Sequence, residues 1–71
     1  MTFAEILHDE FDGKVGLEDE IDDAPIDSLE YLSFIKRLEA ELRIEISDEK
    51  LSGLETFEDI EALTEVLAGH A

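Results

Sequence analysis

Apolar residues recur at helical spacing over the first eleven positions: Phe3, Leu7 and Phe11 fall at i, i+4 and i+8, with Ile6 beside them. Thr2 and Glu5 stand where a capping box needs a hydroxyl and a carboxylate, so the pattern predicts a first helix ending near Asp12-Gly13. Residues 13–26 keep no period. Gly13, Gly16 and Pro25 punctuate them, and five of the six residues from Glu18 to Asp23 are acidic. This segment reads as a long loop pinned to the core by Val15, Leu17 and Ile21.

The second helix is more fully specified. Asp27 is placed as N-cap with Glu30 at the third helical position, and Ile26 and Tyr31 are spaced as a hydrophobic staple across that cap. Pro25 keeps Ala24 extended, which puts Ser28 at the first helical position. Tyr31, Ile35, Leu38 and Leu42 form one stripe, flanked by Leu32 and Phe34. Arg43 to Ile46 alternates like a strand but has no pairing partner, and is read as a loop with Ile44 and Ile46 inward. Ser47-Asp48-Glu49 caps a short helical turn ending near Gly53. Thr56 opens a last helix with Phe57, Ile60, Leu63 and Leu67 inward and Gly69 at its end. The predicted fold class is all-α: a small four-helix bundle of three main helices and one short one, with a long loop between helices one and two. Residues 1–71 are expected to form a single domain.

Length limits what such a bundle can do. A chain of 71 residues buries only about 60% of the surface its unfolded form exposes, so a deep catalytic cleft would remove much of its packing. A carrier or interaction module is expected, not an enzyme. There are no cysteines, which excludes disulfides and thiolate metal sites. His8 is assigned to the surface of the first helix and His70 to the tail, and no metal centre is expected. Twenty-one acids against five bases give a formal net charge of −16. Such a surface repels nucleic acid and anionic lipid, and steers in partners with basic patches. No signal peptide or membrane-length apolar run is present, so a cytoplasmic monomer without membrane insertion is expected.

Ser28 is the candidate for chemistry. A serine in the first turn of a helix presents its hydroxyl beside unpaired N–H groups, and the positive end of the helix dipole favours a phosphate there by about 0.3–1 kcal/mol. No histidine or lysine lies near it in sequence to activate the hydroxyl as a catalytic nucleophile. The site suits a phosphodiester better than it suits catalysis.

Pro25-Ile26-Asp27-Ser28-Leu29-Glu30, followed by the amphipathic run to Leu42, resembles the acyl carrier protein family, whose hallmark is Asp-Ser-Leu at the start of the second helix. The resemblance continues through Ile44-Glu45-Ile46-Ser47-Asp48-Glu49 and Glu55-Thr56-Phe57-Glu58-Asp59-Ile60 and covers essentially the whole chain. It implies a 4'-phosphopantetheine arm on Ser28, donated from coenzyme A by a phosphopantetheinyl transferase that engages the site with the help of Asp27. The arm ends in a thiol that forms a thioester with an acyl or aminoacyl cargo, which accounts for thiol chemistry in a cysteine-free protein. Implied partners are the transferase, a loading ligase, and downstream synthases or transferases.

Three features depart from fatty-acid carriers. The 27 residues before the serine are fewer than is typical there. Ser33 stands where an acid is expected. Leu29, Ser33, Lys36, Ala40 and Arg43 share the outer stripe of the second helix with Arg37 beside it, leaving Glu30, Glu39 and Glu41 at the margins of a diluted acidic face. Those bases either mark a dedicated partner set or simply offset local acid repulsion. Leu29 is either an exposed partner contact or folds back over the loop. A cofactor-free acidic adaptor is the main alternative function. An EF-hand registered on Gly13 would place His8 at position one and Asp19 at twelve, without the usual Asp and Glu.

Overall fold

The computed structural model describes residues 2–69, and His70 lies outside them. Among the described residues there are four helices: α1 (Phe3–Phe11), α2 (Ser28–Leu42), α3 (Asp48–Leu51) and α4 (Phe57–Leu67). Each longer helix begins on a reciprocal capping box: Thr2 with Glu5, Asp27 with Glu30, and Thr56 with Asp59. Ser47 caps α3 through its side chain. Asp12 ends α1 and Arg43 ends α2, both in the left-handed region. Arg43 is therefore a helix stop and not part of the outer stripe of α2. The all-α plan predicted from the pattern is the observed one.

The core is organised by aromatics. All four phenylalanines meet in one cluster, with Phe34 between Phe3, Phe11 and Phe57 at ring-centroid distances of 5.7, 5.2 and 6.1 Å. Edge-on and tilted rings of this kind add to the area they bury. Ile6, Leu38 and Ile60 complete the fully enclosed layer. The stripe of α2 is thus centred on Phe34, Ile35 and Leu38, while Tyr31 and Leu42 are half-buried and Leu32 is 47% exposed. The wheel placed Leu32 and Phe34 as equal flanks; the structure buries one and exposes the other, because α1 and α4 both supply rings on the Phe34 side. The start of α1 lines one groove with the ends of α2 and α4, and α1 packs against α2.

The long loop is more structured than its sequence suggests. Val15 is buried, Leu17 and Ile21 pack against the core, and Ile21–Asp23 forms a 3₁₀ turn. Glu20 and Thr56 form an isolated backbone bridge. Phe57 and Glu58 donate their N–H groups to the carbonyls of Asp19 and Leu17, and Ile21 donates to Glu55 O at 2.8 Å. The open donors at the start of α4 are therefore taken up by the loop, which fastens the loop in turn.

Acids sit in two kinds of setting. The Asp59 carboxylate accepts the N–H groups of Glu55 and Thr56 at 3.0 and 3.1 Å, which hold it below the ordinary carboxylate range. Glu20 is pushed up by a hydrogen bond shared with Asp23 and by the charges of Asp23, Glu55 and Asp22. A depressed carboxyl stabilises the fold above its unfolded pKa and loses that contribution as pH falls through the folded value. A raised one contributes below its unfolded pKa and loses that contribution as pH rises.

Thermal melts should therefore show stability rising as pH falls through the raised folded pKa of Glu20, then falling at lower pH as Asp59 protonates through its depressed one. Glu20→Gln should flatten the rise, and Asp59→Asn should flatten the acid collapse. Melting temperature should also climb between about 0.01 M and about 1 M salt as the Debye length shrinks from ~30 to ~3 Å. Phe34→Ala should cost about 3–5 kcal/mol. A chain of 71 residues holds only about 4–11 kcal/mol in total, so denaturant titration should find the unfolding midpoint lowered by about a quarter or more.

Candidate functional site

Ser28 occupies the first position of α2 and is exposed, with Asp27 as its extended N-cap. Glu30 N donates to Asp27 Oδ1 at 2.8 Å, and Asp27 N donates to Glu30 Oε1 at 3.3 Å. Ala24 is extended before Pro25, and Ile26 and Tyr31 are half-buried on either side of the cap. The start of α2 is fixed by a reciprocal cap, a staple and, one and a half turns on, the anchored ring of Phe34. At about 100° per residue Ser28 projects about 120° away from Phe34, off the core.

The start of α2 differs from that of α4 in one respect. The first two N–H groups of α4 are occupied by loop carbonyls. Those of Ser28 and Leu29 have no acceptor among the described residues. Two donors and the positive end of a helix of 15 residues therefore converge on the space around the Ser28 hydroxyl, the surroundings a phosphodiester requires. A groove of about 390 Å³ opens beside it, walled by Ile21, Ile26, Tyr31 and Leu32 with Asp22, Asp27 and Ser28 at its edge. An exposed anchor, open N–H groups and an adjoining groove fit a flexible phosphate-linked arm.

The residues expected to form a docking face separate into two groups. Leu29 is 77% exposed, so its side chain does not fold back over the loop. Glu30, Ser33, Lys36 and Glu41 are also exposed. Arg37 instead reaches α1, donating to Asp9 at 2.7 Å with Glu10 at 3.6 Å. These contacts, led by the Asp9 hydrogen bond, push its pKa up. Glu39 turns inward and accepts the N–H of Ile46 at 2.9 Å, holding the loop after α2. Glu41 lies at the far end of α2, beside Thr2 and Phe3. Leu29, Ser33 and Lys36 remain on one outer face, joined by Leu32, which the core pattern had hidden. The signal for Leu32 was its i, i+3 spacing from Leu29.

The EF-hand register fails on geometry: His8 lies inside α1, and the Asp19 carboxylate accepts Gly16 N–H at 2.7 Å. No cluster of metal-ligating side chains is found among the described residues. No helix among them is long and apolar enough to cross a membrane.

Compared with known protein families, residues 1–64 match the model described as the phosphopantetheine attachment site. Neither the curated proteins nor the solved structures give a match. With nearly the whole chain covered and the helix start suited to a phosphodiester, the chain belongs to the phosphopantetheine attachment site family and is a carrier-type domain for covalently bound 4'-phosphopantetheine.

Proposed function

We propose that Ser28 is the residue that bears the arm, and that residues 1–71 act as one non-catalytic carrier domain delivering an acyl or aminoacyl thioester to partner enzymes. The observation that carries this reading is the exposed Ser28 hydroxyl at a rigid helix start, with two N–H groups left open beside it. In the attachment step Ser28 Oγ bonds to the phosphorus bearing pantetheine in coenzyme A. The bond from that phosphorus to the adenosine bisphosphate leaving group breaks, and the hydroxyl proton passes to a base on the transferase. Ser28 and Leu29 N–H then face the phosphodiester, and Asp27 holds the helix start in register while offering a carboxylate edge to the transferase and its metal ion. The arm supplies a terminal thiol that holds cargo as a thioester.

The outer face of α2 is the docking surface in this reading. Leu29, Leu32, Ser33 and Lys36 give it an apolar centre with one base, and Glu30 gives it an acid next to the arm. With Arg37 and Glu39 engaged inside the fold, Lys36 is the base of this face, in a chain otherwise dominated by acids. A partner that reads the face needs an apolar pocket and an acidic group, which favours a dedicated loading ligase and acceptor synthase.

Incubation with coenzyme A and a broad-specificity phosphopantetheinyl transferase should add one arm's mass to the intact chain and none to Ser28→Ala. An unmodified wild-type chain would favour a cofactor-free adaptor. Asp27→Asn keeps the capping acceptor but removes the charge. Its melting temperature should stay near that of the parent, while modification slows about tenfold or more through loss of a charge-assisted contact.

A further inference from the structure

The groove beside Ser28 has a composition that bears on what the arm carries. At about 390 Å³ it lies at the small end of ligand pockets, which run from about 300 to 1,000 Å³. Its walls are apolar: Ile21 and Ile26 from the loop, Tyr31 and Leu32 from α2. Its polar edge is made by Asp22, Asp27 and Ser28, and no base lines it. Asp27 accepts the N–H of Glu30 through Oδ1 alone, so Asp22 is the less engaged of the two acids at the groove edge.

That wall is held in place. Asp22 sits in the 3₁₀ turn, whose Asp23 N–H bonds back to Glu20 O, and Ile21 N–H is fastened to Glu55 O across the bridge to α4. The field of Asp22 reaches into the groove: Tyr31 is half-buried, and burial first and the Asp22 charge second push its phenol up. Glu20 and Asp23 flank Ile21 and Asp22 in the chain and add to the negative charge of this segment.

Resting on the carrier reading of Ser28, we propose that this groove docks the arm's own cargo and selects one with a small apolar body and a cationic amino group, an aminoacyl group, over neutral or carboxylated acyl groups. The amino group faces Asp22 and the side chain lies against Ile21, Ile26, Tyr31 and Leu32. Tethering makes the weak site sufficient, because a cargo on a short arm is present at an effective concentration of about millimolar. One exposed ion pair changes the ratio of docked to undocked cargo by about twofold to fivefold. A carboxylated cargo meets like charge from Asp22, Asp23 and Glu20. A long alkyl chain outgrows the groove.

The test loads the full chain with hydrolysis-stable amide analogues of the thioester, made from the matching coenzyme A derivatives. These carry leucyl, N-acetyl-leucyl, isocaproyl or succinyl groups, and intact mass first verifies one arm per chain. Backbone-amide NMR then reads Ile21, Asp22, Ile26, Tyr31 and Leu32. The leucyl form should shift these amides about twofold to fivefold more than the isocaproyl and N-acetyl forms, and the succinyl form least. Asp22→Asn should bring the leucyl form down to the isocaproyl level without altering loading. Equal shifts for all four, a larger shift with succinyl, or shifts centred between α2 and α4 would overturn the groove while leaving the carrier reading intact. A chain that accepts no arm overturns both.

Discussion

The ring of Phe34 is the contact on which the rest of the molecule depends. It alone touches three other phenylalanines, two from α1 and one from the first position of α4. In a chain that buries so little surface, this cluster replaces the layered core of a larger domain. It also fixes the rotation of α2 and, through the helix, the outward direction of Ser28. The same helix carries the central ring of the core and the serine proposed to bear the arm.

Charge works against this small core, and the structure manages it by position. Glu5, Glu30 and Asp59 sit at the third position of helices, where each carboxylate accepts backbone N–H groups. The Arg37 guanidinium ties α1 to α2 through Asp9 and Glu10. In the loop, Asp19 accepts the N–H of Gly16, whereas Glu20 shares a hydrogen bond with the like-charged Asp23, which raises the Glu20 pKa. The loop stays ordered because its carbonyls supply the acceptors that the start of α4 requires. The start of α2 has no such acceptors at Ser28 and Leu29 among the described residues, which is what supports placing the phosphate there.

Much of this was legible in the sequence because it depends on short-range chemistry. Capping residues, Pro25 before the staple and the 3.6-residue period of α1 and α4 act within a few positions of each other, and each helix starts where its cap predicts. Long-range pairings were not legible. Nothing local says that Arg37 meets Asp9, that Glu39 closes on Ile46 N–H, or that the carbonyls of Leu17 and Asp19 cap a helix some forty residues on. The helical wheel placed Phe34 and Leu32 symmetrically, and only the positions of α1 and α4 separate them. The groove beside Ser28 was hidden for the same reason, since two of its apolar walls come from a loop without a period.

The proposed anchor of the arm is Ser28, at a helix start that is both rigidly capped and open at its first two N–H groups. Fragment mass spectrometry of the arm-bearing chain tests it most directly, because Ser33, Ser47 and Ser52 offer competing hydroxyls in the same protein. Every arm-bearing fragment should contain Ser28, and the other three serines should stay unmodified. An arm on any of those three would contradict it.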